Sequence, residues 1–153
     1  MIITCELDIA APLEFVFELV DDDDKLKEWM DGVEAISYPE GQNRSDPIGT
    51  PFRMRIREGG RAKDYDGRVV AYEKPHHLAI TIGDSMFEML VNYRFERGPG
   101  GTRLNYACEM TRGNRFVRVM GWLFRPLTKR IVRKQMTALK SLAEREASQI
   151  DVP

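Results

Sequence analysis

Three tyrosines are the first candidates for chemistry because each lies in a run of alternating apolar residues. Tyr93 and Tyr106 fall on phases otherwise occupied by Phe, Met, Val and Leu, so their hydroxyls would point into an apolar interior. Tyr65 shares its phase with Gly67, Val69 and Ala71, small residues that would leave space above them. A buried phenol could orient and protonate a bound carbonyl compound, or it could be an ordinary core tyrosine. The sequence favours the second interpretation and leaves catalysis open.

Two other groups of titratable residues are better explained without catalysis. His76 and His77 follow Lys74-Pro75 in a predicted hairpin turn, where exposure is expected, and adjacent histidines diverge in a strand. Asp64 and Asp66 share one face of a strand, next to a row of arginines that would pair with them across the sheet. The other members of this predicted salt-bridge lattice are Arg53, Arg55, Arg57 and Arg68.

Neither a metal nor a cofactor is expected. Cys5 and Cys108 stand alone, without a CxxC or a Cys/His cluster that could give a metal its ligands. Motifs typical of signature-bearing enzymes are missing, because the sequence holds no GxSxG, HExxH, Walker loop or GxGxxG. Any catalysis would therefore depend on isolated side chains within a pocket.

Charge is unevenly distributed along the chain, although the net charge is only -1. Residues 1–50 hold 13 acidic and 3 basic residues, and residues 111–153 hold 3 and 10. The acidic run from Asp21 to Asp24 is interpreted as a solvated face. The span from Arg112 to Lys134 has eight basic residues and no acid, and it could be a solvated face or a patch for an anionic lipid or ligand. No nucleic-acid partner is expected.

The elements that position these residues form one domain, predicted to span residues 1–153. Its 153 residues are 42% hydrophobic, enough for one core, and no repeat or linker divides them. Apolar runs are too short to span a membrane, and the N-terminus lacks signal-peptide features, so the expected location is the cytoplasm.

Hydrophobic periodicity predicts a strand, two short helices, an antiparallel meander and a long C-terminal helix. Ile2 to Ile9 read as the strand, Pro12 opens the first helix, and Asp24 to Met30 form the second. From Val33 to Arg112 the period is two, in short runs separated by turn residues.

The last third has helical spacing, with one apolar stripe predicted to pack on the sheet. Pro126 predicts a bend or break near Arg125. Trp122 lies on the face opposite the stripe, so either the break resets the phase and buries it, or the indole is exposed among basic residues. The stripe consists of Phe116, Met120, Phe124, Leu127, Ile131, Ala138 and Leu142.

At the residue level the chain resembles the polyketide cyclase/dehydrase and lipid-transport family of the START/Bet v1-like superfamily. The resemblance implies an α+β helix-grip fold, in which a curved antiparallel sheet wraps around the long C-terminal helix. The resemblance covers nearly the whole chain. Each of its motifs is weak alone, and the resemblance rests on the order in which they occur. The matching segments are Ile9 to Phe17 and on to Trp29, Gly49-Thr50 with Phe52-Arg53, Arg68 to Glu73 with Pro75, Tyr93 to Glu96, Gly101 to Leu104, and Leu139 to Glu144.

The resemblance also implies a cavity between the sheet and the C-terminal helix. We expect it to bind a hydrophobic or amphipathic small molecule such as a lipid, quinone or polyketide. Two alternatives stay open: a cyclase, aromatase or dehydratase, and a module that contacts a membrane or a protein through the basic C-terminal helix. A homodimer is compatible with the sequence but has no single feature in its favour. The expected lining is Trp29, Met54, Tyr65, Gly67, Val69, Met89, Val91, Tyr93, Tyr106, Cys108, Met120 and Phe124.

Overall fold

The structure, a computed structural model, describes residues 2–150 as one seven-stranded antiparallel sheet with four helices. The strand order across the sheet is β1-β7-β6-β5-β4-β3-β2, so each consecutive pair from β2 to β7 forms a hairpin or meander. The strands are β1 Ile2–Ile9, β2 Val33–Ser37, β3 Pro51–Glu58, β4 Arg61–Glu73, β5 His77–Gly83, β6 Phe87–Gly98 and β7 Gly101–Gly113. The helices are α1 Leu13–Asp21, α2 Asp23–Trp29, α3 Arg115–Leu123 and α4 Arg125–Ile150.

One face of the sheet is apolar because residues alternate along the strands. On β3, Phe52 and Met54 are buried, whereas Arg53 and Arg55 are exposed. The inward-facing side chains of all seven strands join residues of α1, α2 and α4 in a single hydrophobic cluster. This face therefore supplies both the core and the floor of any cavity.

The two short helices follow from local sequence signals. Pro12 precedes the first residue of α1, where its missing N–H is harmless, and Phe17 is fully buried on the inner face of α1. Asp22 separates the helices and caps α2, since its side chain accepts hydrogen bonds from the backbone N–H groups of Asp24 and Lys25 at 3.0 and 3.1 Å. The chain thus makes a sharp corner within the acidic run.

The predicted break in the C-terminal helix is confirmed at Phe124, which lies between α3 and α4. Pro126 is the second residue of α4, in the first turn of a helix, where a proline leaves no hydrogen bond unmade. Asn114 caps α3 by accepting a hydrogen bond from the Val117 N–H at 2.8 Å. The proline therefore marks the start of a new helix.

The prediction that one apolar stripe packs along both halves of this segment is wrong. Phe116, Phe124, Leu127 and Ile131 are all exposed, and Trp122 is 68% exposed. The buried stripe of α4 starts only after Ile131, because the first turns of α4 have no apolar element packed against Leu127 and Ile131; of the predicted stripe, Leu142 is buried and Ala138 half-buried. The buried members of the α4 stripe are Val132, Met136, Leu139, Leu142, Ala143 and Ala147.

The far half of α4 is fastened to the start of the chain. The Glu144 carboxylate accepts a hydrogen bond from the Ala10 N–H at 2.8 Å, and the Lys140 ammonium donates to the Asp8 carbonyl. A curved antiparallel sheet, a long C-terminal helix and two short helices after β1 confirm the predicted helix-grip fold.

Candidate functional site

A small apolar cavity of about 110 Å³ lies between strands β2–β6 and the two short helices. Its lining comes from α1, α2, β2–β6 and the segment between β2 and β3, and not from α4, where the prediction placed it. The space beside α4 is instead filled by that helix's own side chains, including Met136 and Leu139. The apolar lining residues are Val20, Leu26, Met30, Ile36, Pro47, Phe52, Met54, Val69, Leu78 and Ile80.

Two tyrosine–carboxylate pairs form the polar end of this cavity. The Tyr72 hydroxyl donates to Asp21 Oδ2, and the Tyr38 hydroxyl donates to Asp23 Oδ2, each at 2.7 Å. All four side chains line the cavity. Each pair joins the sheet side of the cavity to the helix side, so together they close part of the cavity wall with hydrogen bonds.

Tyr72 reaches this position because of a bulge in β4. The pairing with β5 shifts between Val69, which pairs with Ile80, and Ala71, which pairs with Ala79. The extra residue, Val70, reverses the alternation, so that Tyr72 rather than Ala71 continues the inward face. A strict period of two places Tyr72 on the solvent side, and for this reason the sequence prediction missed it.

The acidic run has three different roles rather than the single solvated face that was predicted. Asp22 caps α2, Asp24 is exposed next to Lys27 at 3.8 Å, and Asp21 and Asp23 turn toward the cavity. One signal for this was present in the sequence. Asp23 lies three residues before Leu26, so it shares the buried face of a helix.

Burial shifts the pKa values of all four groups upward. Partial burial raises the pKa of Asp21 above its ordinary value of 3.8, against the lowering effect of the Tyr72 hydrogen bond. The pKa of Asp23 rises for the same reason, opposed by Tyr38. Burial and the neighbouring carboxylates also raise the pKa values of Tyr38 and Tyr72. At neutral pH the tyrosines are therefore neutral hydrogen-bond donors, and the carboxylates are held in an unfavourable environment.

Tyr93 is the one sequence-predicted tyrosine that lines the cavity. It is only 5% exposed, and its ring packs edge-on against Tyr106 at 5.2 Å between centroids. Burial raises the pKa of Tyr93, so its hydroxyl is a neutral donor at neutral pH. Because Tyr93 lines the cavity, a ligand atom could accept a hydrogen bond from it.

The other predicted lining residues have three different fates. Met54 and Val69 line the cavity with Tyr93. Tyr65 and Met89 are half-buried toward the α3 end of the sheet, outside the cavity. Trp29, Val91, Tyr106 and Cys108 are buried in the core, and the Trp29 indole N–H donates to the Leu19 carbonyl at 2.7 Å.

The remaining predictions for the cavity lining are corrected by packing. A Cβ on Gly67 would lie 2.3 Å from the Phe52 ring, so the expected space above Gly67 is filled by that ring. Met120 lies on α3 and Phe124 follows it, and neither lines the cavity, because α3 contacts the sheet at β7 whereas the cavity is lined by β2–β6.

An acidic vestibule of about 420 Å³ adjoins the cavity. Asp21, Asp23 and Tyr72 line both spaces and thus stand between them. The vestibule has five acidic and three basic side chains: Glu18, Asp21, Asp22, Asp23 and Asp24 against Lys27, Arg44 and Lys74. A positively charged or hydrogen-bond-donating group is therefore favoured there over an anion.

The other titratable groups are placed as surface features. Arg53 pairs with Asp66 at 3.0 Å and Arg55 with Asp64 at 3.2 Å, as predicted, whereas Arg57 pairs with Glu34 and Arg68 donates to the Gly49 carbonyl at 2.6 Å. His76 is exposed, whereas the His77 Nε2 and the Asn92 side-chain oxygen are hydrogen-bonded at 2.9 Å.

In the described range 2–150 no group of three or more His, Cys, Asp or Glu is arranged to hold a metal ion. None of the described helices is long and apolar enough to cross a membrane.

The curved sheet, the long C-terminal helix and the two short helices together define a helix-grip domain of the Bet v1-like class. The chain belongs to the polyketide cyclase/dehydrase and lipid-transport family, whose model matches residues 2–144. No curated protein matches the sequence.

Solved structures confirm the fold at low sequence identity. A protein from Nitrosomonas europaea is 15% identical with a TM-score of 0.73, over 95% of this chain and 96% of that one. Ara h 8.0201 is 15% identical with a TM-score of 0.66, over 92% and 98%. StfQ, the di-domain ARO/CYC protein from the steffimycin biosynthetic pathway, is 14% identical with a TM-score of 0.75, over 96% of this chain and 52% of that chain.

Proposed function

We propose that this protein binds an amphipathic small molecule, with the apolar body in the cavity and a hydrogen-bond-donating end at Asp21 and Asp23. The observation that carries the proposal is the pairing of an apolar chamber with two half-buried carboxylates at its polar end. A hydroxyl or ammonium group can donate to these carboxylates, whereas the acidic vestibule disfavours an anionic head group.

Cavity size limits the part of the ligand that is enclosed. A volume of about 110 Å³ is smaller than the roughly 300 Å³ at which drug-sized pockets begin. A compact ring or a short chain fits inside, and a longer ligand extends past Asp21 and Tyr72 into the vestibule. The ligand class is therefore a hydroxylated or amino compound with one compact apolar end.

The direct test is mass spectrometry of small molecules released from purified protein, combined with titration of a defined probe. We use 1-naphthol as a neutral hydroxylated probe and 1-anilinonaphthalene-8-sulfonate as the anionic comparison. Naphthol should bind more tightly than the sulfonate, and Asp21→Asn should weaken naphthol binding by about 10- to 150-fold, since a charge-assisted hydrogen bond contributes about 1.5–3 kcal/mol.

Tyr72→Phe and Tyr65→Phe form a matched pair for this test. Both remove one hydroxyl from β4, but only Tyr72 lines the cavity and contacts Asp21. Tyr72→Phe should change naphthol affinity several-fold, while Tyr65→Phe should leave it unchanged. Equal affinity of all variants, or preference for the anionic probe, would refute the proposal.

A second candidate, a cyclase-type activity, is favoured by the raised carboxylate pKa. A carboxylate with an upshifted pKa is a better base near neutrality than an ordinary aspartate, and the neutral Tyr72 hydroxyl could donate to a carbonyl oxygen. In an aldol cyclisation, Asp21 would accept a proton from the carbon next to a carbonyl. The resulting enolate would form the new C–C bond at the carbon of a second carbonyl, whose C=O π bond would break to give an alkoxide. The Asp21 carboxyl would return its proton to that alkoxide, which gives a cyclic hydroxy ketone and restores the carboxylate.

The two candidates are separated by incubation with a diketone that can cyclise. Turnover that falls at least about 100-fold in Asp21→Asn, with binding retained, supports catalysis, because general-base removal costs this much. Binding of the diketone without turnover would support the binding function and contradict the cyclase-type activity.

A further inference from the structure

The outer face of α3 is apolar and uncovered. Phe116 is 67% and Trp122 is 68% exposed, Val119 and Leu123 are exposed as well, and no residue of α3 is buried. At 100° per residue, the Phe116, Val119 and Leu123 side chains fall within about 60° of arc. Exposed apolar residues follow along the chain at Phe124, Leu127 and Ile131. We call these seven residues the α3 surface.

Basic residues border this surface without acidic partners. Between Glu109 and Glu144 the sequence has no acidic residue, while Arg112 to Lys134 supplies eight basic ones. Within residues 2–150 none of these eight forms an ion pair. Arg112 and Arg125 donate to backbone carbonyls of this chain. The other six side chains are exposed, so their positive charge is available to an external anionic surface: Arg115, Arg118, Lys129, Arg130, Arg133 and Lys134.

The arrangement on α3 is the one that suits a lipid–water interface. Trp122 lies at the edge of the apolar arc, and Arg115 and Arg118 lie on either side of it within about 40°. Aromatic and basic residues at the edge of an apolar helix face are typical of helices that lie in a membrane surface. The charges on α3 are all positive, Arg115 and Arg118, so two copies of this face would repel each other.

We propose that the α3 surface docks on a bilayer that contains anionic lipid. Phe116, Val119 and Leu123 would enter the headgroup boundary, and Arg115, Arg118 and Lys129 would contact lipid phosphates. This inference goes beyond the cavity ligand and does not depend on it, because no residue of the α3 surface lines the cavity.

Vesicle sedimentation tests the proposal with the full chain. The protein should bind phosphatidylcholine vesicles that contain phosphatidylglycerol, bind pure phosphatidylcholine vesicles weakly, and dissociate at high salt. The double variant Arg118→Glu/Lys129→Glu should reduce the partition coefficient at least 30-fold, since each basic residue near an anionic surface contributes about 1 kcal/mol.

The matched control is Arg94→Glu/Arg145→Glu, which changes the net charge equally at two exposed positions away from α3. This control should keep most of the vesicle binding. Trp122→Ser should weaken binding without changing the thermal unfolding midpoint, because the indole is exposed. Trp122 fluorescence should shift to the blue on vesicles, whereas Trp29 is buried and hydrogen-bonded already.

Three results would overturn the proposal. The first is no binding to phosphatidylglycerol vesicles. The second is an equal loss in the Arg94→Glu/Arg145→Glu control. The third is self-association in sedimentation velocity that Trp122→Ser abolishes while vesicle binding is absent, which would identify a second copy as the occupant.

Discussion

The two ends of the apolar sheet face are opposite in both packing and charge. On β6, Phe95 and Tyr93 at the α1 end are buried, whereas Met89 and Phe87 at the α3 end are only half-buried. The buried end adjoins carboxylates that accept hydrogen bonds from tyrosines, and the open end adjoins basic residues without acidic partners among residues 2–150. One sheet face thus carries an apolar cavity at the α1 end and a more exposed apolar surface at the α3 end.

β5 connects these two ends and sets the distance between them. Its first residue, His77, pairs with Arg94 near the α1 end, and its last, Gly83, pairs with Glu88, which in turn pairs with Arg112 just before α3. Seven residues of extended strand span roughly 20 Å. An anionic membrane bound to the α3 surface would repel the acidic vestibule, which would therefore face away from the membrane. The charge asymmetry would thus also orient the molecule on the membrane.

The largest expected contrast is between two phenylalanines. Phe17→Ala should destabilise the protein by about 3–5 kcal/mol, because the Phe17 ring is fully buried and packs edge-on against Tyr72 and Phe95. Phe116→Ala should change stability by no more than about 0.5 kcal/mol, since that ring is exposed. Urea unfolding of both variants gives the measurement. A large cost for Phe116→Ala would show that α3 packs on the body of the protein.

A smaller contrast is expected between the two helix caps. Asp22→Ala should cost about 1 kcal/mol, because α2 carries the buried residues Leu26 and Trp29 and its loss disturbs the core. Asn114→Ala should leave global unfolding almost unchanged and instead increase amide hydrogen exchange within α3, a nine-residue helix with no buried side chain. Equal effects on global stability would contradict the comparison.

The smallest contrast is in pH dependence, and its sign differs between the two ends. Folding raises the pKa values of Asp21 and Asp23, so their contribution favours the folded state at acid pH and is lost as pH rises through the raised pKa. Folding lowers the pKa of Asp84, through Lys63 and the N–H groups of Met86 and Phe87, so its contribution is present above the ordinary pKa and lost on acidification.

Asparagine variants measure this difference by urea unfolding between about pH 2 and neutrality, because the Asp84 contribution is lost below its ordinary pKa of 3.8 and those of Asp21 and Asp23 above it. Relative to the wild type, Asp21→Asn/Asp23→Asn should become more stable as pH rises, and Asp84→Asn should become less stable. Parallel pH profiles for the two variants would contradict the assigned shifts.

Local signals predicted the fold well because they depend on neighbours in the chain. Alternation along β3, the helix start after Pro12 and the break next to Pro126 all report the conformation of a few adjacent residues. The site was less predictable because it depends on contacts between distant residues. The pairing of Asp21 with Tyr72 spans 51 positions, and the Phe52 ring over Gly67 comes from the neighbouring strand. Periodicity likewise predicted the apolar character of the α3 surface but not its exposure, because burial depends on which distant element packs against a helix.

The bulge at Val70 affects how functional residues are transferred between relatives. When two sequences share only about 15% identity, a sequence alignment can match the residues of β4 one position out of register. A relative without the bulge would then have its inward residue matched to Ala71, and the partner of Asp21 would be overlooked. Cross-strand pairing avoids this error, because Tyr72 is the residue opposite Leu78, and that relation holds however many residues precede it. In this family, the equivalent of Tyr72 should therefore be sought by its neighbour on β5.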